Sequence, residues 1–372
     1  MMRRVFRWLA WIVASAATAA ACAQTAQFFG PLRARDLSPF GYLRLDMRPT
    51  YARDLAPGEW AIAAELAYQN TWALSPNVEA YLTALPGRRE LGPAEVAAIR
   101  ALPGENYLVD MELAQLDITV RRQLTEHLSA YAIVSGAHYG GGLLDSGIER
   151  FHETFGFSTF GRKAVARNDV NIILDLKSMQ STQLEAPTRG GLLDPTLGLR
   201  YTGVALREPW SLVLEGAVKL PLSGRRMLLS TGRADVGAQG TLQRLGAWQA
   251  FYINAAAVYY AGTGGLVRSG SQIVPTLVLG YERRLTARTT VILQGYASTS
   301  PYSHADTDLR ELLATKFQLS GGLRQRRGRH MFTFAITENL QNLNNTPDIG
   351  FQIGWALLPA EPPAAASLDQ QR

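Results

Sequence analysis

The chain has 372 residues, is 47% hydrophobic and 18% charged, and carries a formal charge of +6 with one cysteine. A mean hydropathy of −0.04 excludes a bundle of membrane-spanning helices. The basic excess falls to +3 once Arg3, Arg4 and Arg7 are set aside, and interleaved pairs such as Arg233 with Asp235 and Glu282 with Arg283 leave no basic patch, which excludes a nucleic-acid-binding protein.

The first predicted element is a leader. Arg3, Arg4 and Arg7 precede an apolar run from Trp8 to Ala21, followed by the small-x-small site Ala21-Cys22-Ala23, which together read as a cleaved secretory signal peptide over residues 1–23. Cleavage after Ala23 removes Cys22, the only cysteine, and leaves a mature chain without disulfides or cysteine metal ligands. Cleavage before Cys22 would instead leave a lipid-anchored N-terminus, although Ala19 stands where such sites usually carry a branched aliphatic residue.

Residues 24–358 then show about a dozen segments of roughly ten residues in which apolar and polar positions alternate. Strands are predicted at Trp60–Trp72, Tyr107–Arg121 and Leu128–Ala137, with a long connection at Ala73–Asn106 in which Pro93–Leu102 reads as a short helix with proline at its first turn. Within Tyr107–Arg121 the apolar phase shifts from Tyr107, Val109, Met111 and Leu113 to Leu116, Ile118 and Val120, which predicts a β-bulge near Ala114–Gln115. After Gly140-Gly141-Gly142, residues Leu144, Ile148, Phe151 and Phe155 recur at helical spacing with Asp145, Glu149, His152 and Glu153 opposite. That face could bind a divalent cation; the plainer expectation is a loop helix packing its apolar stripe on the wall.

Alternation resumes at Val170, Ile172, Leu174 and Leu176 against Asn171, Asp175 and Lys177. It continues at Trp210–Leu220, at Gly232–Gln243, at Lys316–Arg324 and at Ile349–Leu357. From Pro209 onward long links (Leu222–Ser230, Gly262–Gln272, Ser300–Ala314, Gln341–Pro347) alternate with short ones (Arg244–Ala247, Leu285–Arg288, Arg327–Arg329). Outer-membrane barrels have short periplasmic turns and longer external loops. A bilayer is crossed only by helices or closed barrels, because lipid cannot satisfy a free backbone. The chain is therefore expected to be all-β, a transmembrane antiparallel up-and-down β-barrel of about 12–14 strands. Thirteen candidate strands give the wrong parity, and the error is expected between Ala137 and Leu193. Trp60, Tyr68, Tyr107, Trp210, Tyr281 and Trp355 suit interfacial aromatic girdles, and the Pro/Ala/Gln-rich residues 359–372 are expected to be a disordered tail.

Gly142-Leu-Leu-Asp145, Ile148-Glu-Arg-Phe-His152, Leu193-Asp-Pro195, Lys219-Leu-Pro221, Thr337-Glu-Asn-Leu340 and Pro347-Asp348 resemble an uncharacterised family of Gram-negative outer-membrane proteins, the domain of unknown function DUF3187. The chain is also similar, more weakly, to porin-type transporters of aromatic-degradation operons. The resemblance implies a barrel in the outer membrane, in contact with its lipid and lipopolysaccharide and inserted by the barrel assembly machinery. It supplies no catalytic residues.

Phase places Asp110, Glu112, Glu215, Lys219, Arg233, Asp235, Lys316 and Arg324 in the lumen, where charges set a pore's ion preference or pair across a closed interior. The expected function is passive transport or binding of a small solute, without catalysis or cofactor. Two alternatives stay open. His127 and Ser129 are two apart on one strand, as in a His-x-Ser acyl hydrolase, and a plugged structural barrel would fit the same pattern.

Overall fold

In the wall strands the polar positions are buried and the apolar positions exposed, the reverse of a soluble sheet. In Leu116–Arg122, for example, Asp117, Thr119 and Arg121 are buried while Leu116 and Ile118 face outward. Only a sheet closed on itself, with lipid outside and polar groups inside, satisfies that arrangement. The computed structural model describes residues 28–38, 41–52, 55–184, 190–223, 229–262, 270–341 and 345–358. The predicted leader, with both cleavage sites at Cys22 and Ala23, and the predicted tail 359–372 lie outside the described residues.

The strands are β1 (Trp60–Leu74), β2 (Asn106–Gln123), β3 (Leu128–Gly140), β4 (Asn171–Leu176), β5 (Met179–Leu184), β6 (Gly191–Leu192), β7 (Thr196–Val204), β8 (Trp210–Lys219), β9 (Asp235–Leu245), β10 (Gln249–Tyr260), β11 (Gln272–Arg284), β12 (Thr289–Ser298), β13 (Lys316–Arg327), β14 (His330–Gln341) and β15 (Ile349–Leu357). Twelve of them, β1–β3 and β7–β15, pair antiparallel with their neighbours, and β15 closes on β1 from Ile62↔Leu357 to Asn70↔Ile349. The wall strands are nine to eighteen residues long, enough to span a hydrocarbon core when tilted.

The parity error lies in the interval where it was expected. The Val170–Lys177 alternation does make a strand, β4, but it stands outside the ring. It pairs with Asn106–Asp110 of β2, beyond the stretch that pairs with β3, and carries β5 on its other edge. The short connections 124–127, 205–209, 246–248, 285–288 and 328–329 share one end of the barrel with the start of β1 and the end of β15. The long connections share the other.

The bulge expected at Ala114–Gln115 is absent: β2 runs against β1 in unbroken register from Leu74↔Leu108 to Trp60↔Arg122. The apolar phase changes because the surroundings change. At the long-connection end the inward positions Tyr107, Val109, Met111 and Leu113 meet an apolar interior with Leu37 and Tyr42. The outward positions there are roofed. Helices α1 (Pro76–Ala84) and α2 (Pro93–Arg100) pack Val78, Leu82, Val96 and Ile99 on Trp72, Leu74 and Leu108. Tyr107, expected in a girdle, is therefore fully buried. Trp60, Trp210 and Trp248 are exposed at the short-connection end, where Tyr281 packs on exposed Phe251 at 5.1 Å.

Helix α3 (Asp145–Phe155) also reverses its expectation. Asp145 and Glu149 are buried, and Phe151 and Phe155 are 53% and 62% exposed. Arginines explain the inversion: Arg162 meets Asp145 at 2.8 Å, and Arg88 and Arg167 meet Glu149 at 2.6 and 2.5 Å. Charge-assisted pairs of this kind are strong enough to turn a short helix acidic side down. The short helix α4 (Arg310–Leu313) adds Leu312 to the apolar cluster at the long-connection mouth.

Candidate functional site

Side chains alone fill a barrel of about eight strands, and larger barrels leave a lumen. Here residues 28–38 and 41–52 occupy it. The segment starts at the short-connection end, where Phe28 packs on Ala250 and Tyr252 and Phe29 on Met331 and Leu358. It rises past Leu32, set against Ile292 and Ala335, to Leu37 and Tyr42 in the apolar cluster with Tyr107, Tyr139, Tyr302 and Leu312. It then descends with Leu45 and Met47 against Ile133, Ala217, Ala256 and Val258, and returns to the end where β1 begins.

Extended backbone in a lumen has no ladder of its own, so the wall must satisfy its N–H and C=O groups. The inward polar side chains do this. Glu282 accepts from Phe29 N and Gly30 N at 3.1 Å each, and Gln294 accepts from Leu32 N at 2.8 Å and donates to Leu32 O at 3.1 Å. Gln69 accepts from Leu37 N at 2.9 Å, Asp235 from Leu45 N at 3.0 Å and Gln243 from Ala52 N at 2.9 Å; Gln239 donates to Arg48 O at 2.8 Å. Ion pairs add Asp36 to Lys316 (2.6 Å), Arg48 to Asp117 (2.8 Å), Arg33 to Glu65 (3.2 Å) and Arg48 to Glu65 (3.4 Å).

The eight charges assigned to the lumen divide. Lys219, Asp235, Lys316 and Arg324 are inward, buried and bound to the segment. Lys219 Nζ donates to Leu43 O at 2.8 Å and pairs with Asp235 at 3.2 Å; Arg324 donates to Gly30 O and to Pro31 O and pairs with Glu282. Glu215 is inward too, accepting from Tyr131 Oη at 2.6 Å and Arg200 Nε at 2.9 Å. Arg233 is exposed, two residues before β9.

Asp110 and Glu112 are a correction. With no bulge they share the outward face of β2 with Leu116 and Ile118, buried beneath the 141–170 connection. Asn171 donates to Asp110 at 3.3 Å. Glu112 accepts from Tyr68 Oη, from Asn70 Nδ2 at 3.2 Å, and from Leu143 N and Leu144 N at 2.9 and 2.8 Å.

Sequence reasoning missed residues 28–52, along with Glu65, Gln69, Asp117, Gln239, Gln243, Glu282 and Gln294. A signal was present: leucines and Met47 interleaved with Arg33, Arg35, Asp36, Arg44, Asp46 and Arg48 ahead of the first strand. That density of paired charge and apolar bulk suits a packed segment better than a tether.

His127 and Ser129 are not brought together. The His127 ring lies in the 124–127 turn edge-on to outward-facing Tyr201 at 6.3 Å, whereas Ser129 is buried on the inward face of β3. Among the described residues no group of three or more His, Cys, Asp or Glu is placed to hold a metal ion, and the carboxylates of Asp145 and Glu149 are taken by arginines. Beside the segment a cavity of about 140 Å³ opens at the short-connection end, lined by Arg33, Asp46, Arg48, Glu65, Arg200 and Glu215 among others. A second, of about 20 Å³, continues past Asp46 and Arg48 to Arg35 and Lys219.

A closed twelve-stranded antiparallel barrel with an apolar exterior and polar interior is the fold of outer-membrane channels. Among solved structures the chain is similar to an outer-membrane channel from Pseudomonas putida F1, with a TM-score of 0.50 and 11% identity over 84% of this chain and 99% of that one. It is also similar to the porin NanC (TM-score 0.42, 8% identity, 81% and 100% covered). The P. putida toluene transporter TodX gives a TM-score of 0.41 at 8% identity over 82% of this chain and 92% of that one. No curated protein sequence matches the chain. The chain belongs to the family of proteins of unknown function DUF3187, whose model matches residues 86–357.

Proposed function

We propose that this protein is an outer-membrane channel for a small polar or amphipathic solute, closed by residues 28–38 and 41–52, and that passage requires this segment to shift within the lumen. Leader 1–23 would export the chain and the barrel assembly machinery would insert it into the Gram-negative outer membrane. The observation that carries the reading is the way the segment is held. Its backbone is bound by wall side chains, not by a β-ladder, and the cavity beside it is already open at one end and lined by charge. Polar anchors of this kind can exchange with water or a solute without exposing a large apolar core. No chemistry is proposed, because a His–Ser hydrolase needs base and nucleophile in contact.

The test is single-channel recording in planar bilayers of the native chain beside Asp117→Asn and Lys316→Met, which release the segment at two heights. Rare openings in the native protein and frequent ones in the variants support the channel. Silence from all three proteins, each running as an intact barrel on gels, would leave a plugged structural barrel. The cavity lining sets five arginines (Arg33, Arg48, Arg121, Arg200, Arg324) against Asp46, Glu65 and Glu215. Open events should therefore prefer anions, read as the sign of the reversal potential in a salt gradient.

A further inference from the structure

The outer wall carries one surface that a channel does not require. Between β3 and β4 the chain leaves the ring and folds back over the outward face of β1 and β2. Leu143 N and Leu144 N bond Glu112, and Arg162 donates to Asn70 Oδ1 on β1 and to Asp348 beside β15, both at 3.1 Å. Gly142 makes the approach close: with φ of 76° it leaves no room for a Cβ against the Glu112 side chain.

The overhang begins where the apolar wall stops. Leu66↔Leu116, both exposed, are one alternation below Tyr68↔Ala114, and the next outward positions, Asn70 and Glu112, already lie beneath it. Two strand residues are about 7 Å, so the overhang sits directly on the rim of the lipid-facing belt.

With Asp145 and Glu149 turned down onto arginines, what the overhang presents outward is aromatic. Phe151, Phe155 and Phe157 are 53%, 62% and 56% exposed, with ring centroids 4.7 to 6.3 Å apart, and Leu143 is 80% exposed. Inverting α3 buries two carboxylates and leaves Phe151 and Phe155 uncovered, with Phe157 exposed just past its end. In water that arrangement is unfavourable, since each ring forgoes about 1.5–3 kcal/mol of burial. It becomes favourable if the rings have an apolar phase to enter.

We propose that Phe151, Phe155, Phe157 and Leu143 insert into the acyl region of the outer leaflet, so that α3 is an interfacial helix extending the lipid-facing surface of the barrel above β1 and β2. Acyl chains are the occupant because the patch is continuous with the wall they already cover. Lys163, paired with Glu153 at 2.8 Å, and Arg150 are exposed on the same overhang, a charged rim that fits the headgroup level just above.

The experiment uses the mature chain from residue 24, which is free of cysteine, refolded into dioleoylphosphatidylcholine vesicles. A nitroxide is placed by Phe155→Cys and, separately, Phe157→Cys, with Leu66→Cys as the lipid standard and Ala305→Cys as the aqueous one. Collision rates with oxygen and with a water-soluble nickel chelate are then compared. The proposal expects high oxygen and low nickel accessibility at both phenylalanine sites, matching Leu66. Nickel accessibility like that of Ala305 would overturn it by placing the face in water. Low accessibility to both reagents would also overturn it, because a second copy or another loop would then cover the face. Gel mobility of each labelled protein confirms that the barrel has folded.

Discussion

Glu282 shows at the scale of one residue how the lumen is held. Fully buried, it accepts from Phe29 N, Gly30 N, Tyr252 Oη at 2.8 Å and Thr290 Oγ1 at 2.7 Å, and faces Arg324 at 3.5 Å. Breaking a buried ion pair from one side costs about 3–5 kcal/mol, because the survivor stays charged and uncompensated. Glu282→Gln should therefore lower the unfolding free energy by about that amount in urea titration of the detergent-solubilised barrel. Adding Arg324→Met should recover part of the loss, and an unchanged midpoint for Glu282→Gln would mean that the pair does not anchor the segment. Gly142→Ala tests the outer wall instead. It strains a left-handed residue and drives a methyl into Glu112, so we expect a loss of about 1–3 kcal/mol, seen as faster tryptic cleavage within 141–170 while gel mobility is unchanged. Legibility at this scale depended on what covers each face. Lys219, Asp235, Lys316 and Arg324 could be phased inward because their outward neighbours meet only lipid. Asp110 and Glu112 could not, because the roof above them comes from residues 30 or more positions further along the chain.

Among the elements, α3 is held by the ion pairs of Asp145 and Glu149 on either side of buried Ile148, and its attachment should depend on pH. Burial pushes the Glu149 carboxyl up, but the hydrogen bonds and charges of Arg167 and Arg88 outweigh it and hold its pKa below the usual carboxylate range. A carboxyl whose folded pKa is depressed contributes stability above its unfolded value, about 4.3, and loses it as pH falls through the folded pKa. Amide protection factors across 145–155, measured exchange rates normalised to the intrinsic rate at each pH, should thus be high at neutral pH and fall at pH 3, and Glu149→Gln should be weakly protected at both. Equal protection at pH 7 and pH 3 would mean that the arginines are not what holds the helix. The elements also mark where periodicity stopped being informative. Wall strands are legible because lipid and lumen impose a two-residue period from outside, and α2 because Pro93 opens it. The β4 alternation is real, yet it cannot disclose that β2 gives its edge to β3 from Glu112 onward and offers β4 only its first five residues. Residues 28–52 have no period at all, because their partners are six or more different strands.

At the scale of the whole molecule everything depends on closure. The lumen can bind an unladdered segment only if the wall is continuous, and the wall is continuous only if β15 pairs on both sides, with β14 and with β1. Ile353 lies in the middle of that seam, opposite Phe334 on one side and Leu66 on the other, with its side chain 60% exposed to the lipid phase. Proline there removes a ladder donor in the middle of a strand paired on both edges, where it is strongly disfavoured, while the side chain given up makes few protein contacts. A closed barrel resists SDS in the cold and migrates faster unboiled than boiled. The native chain purified from outer membranes should show that shift, and Ile353→Pro should lose it and leave only the slow form. Ile353→Ala, which trims the same side chain and keeps the donor, should retain the fast form. Loss of the shift in both variants would attribute resistance to side-chain packing at Ile353, and retention in both would mean that the β1–β15 seam is not what closes the wall.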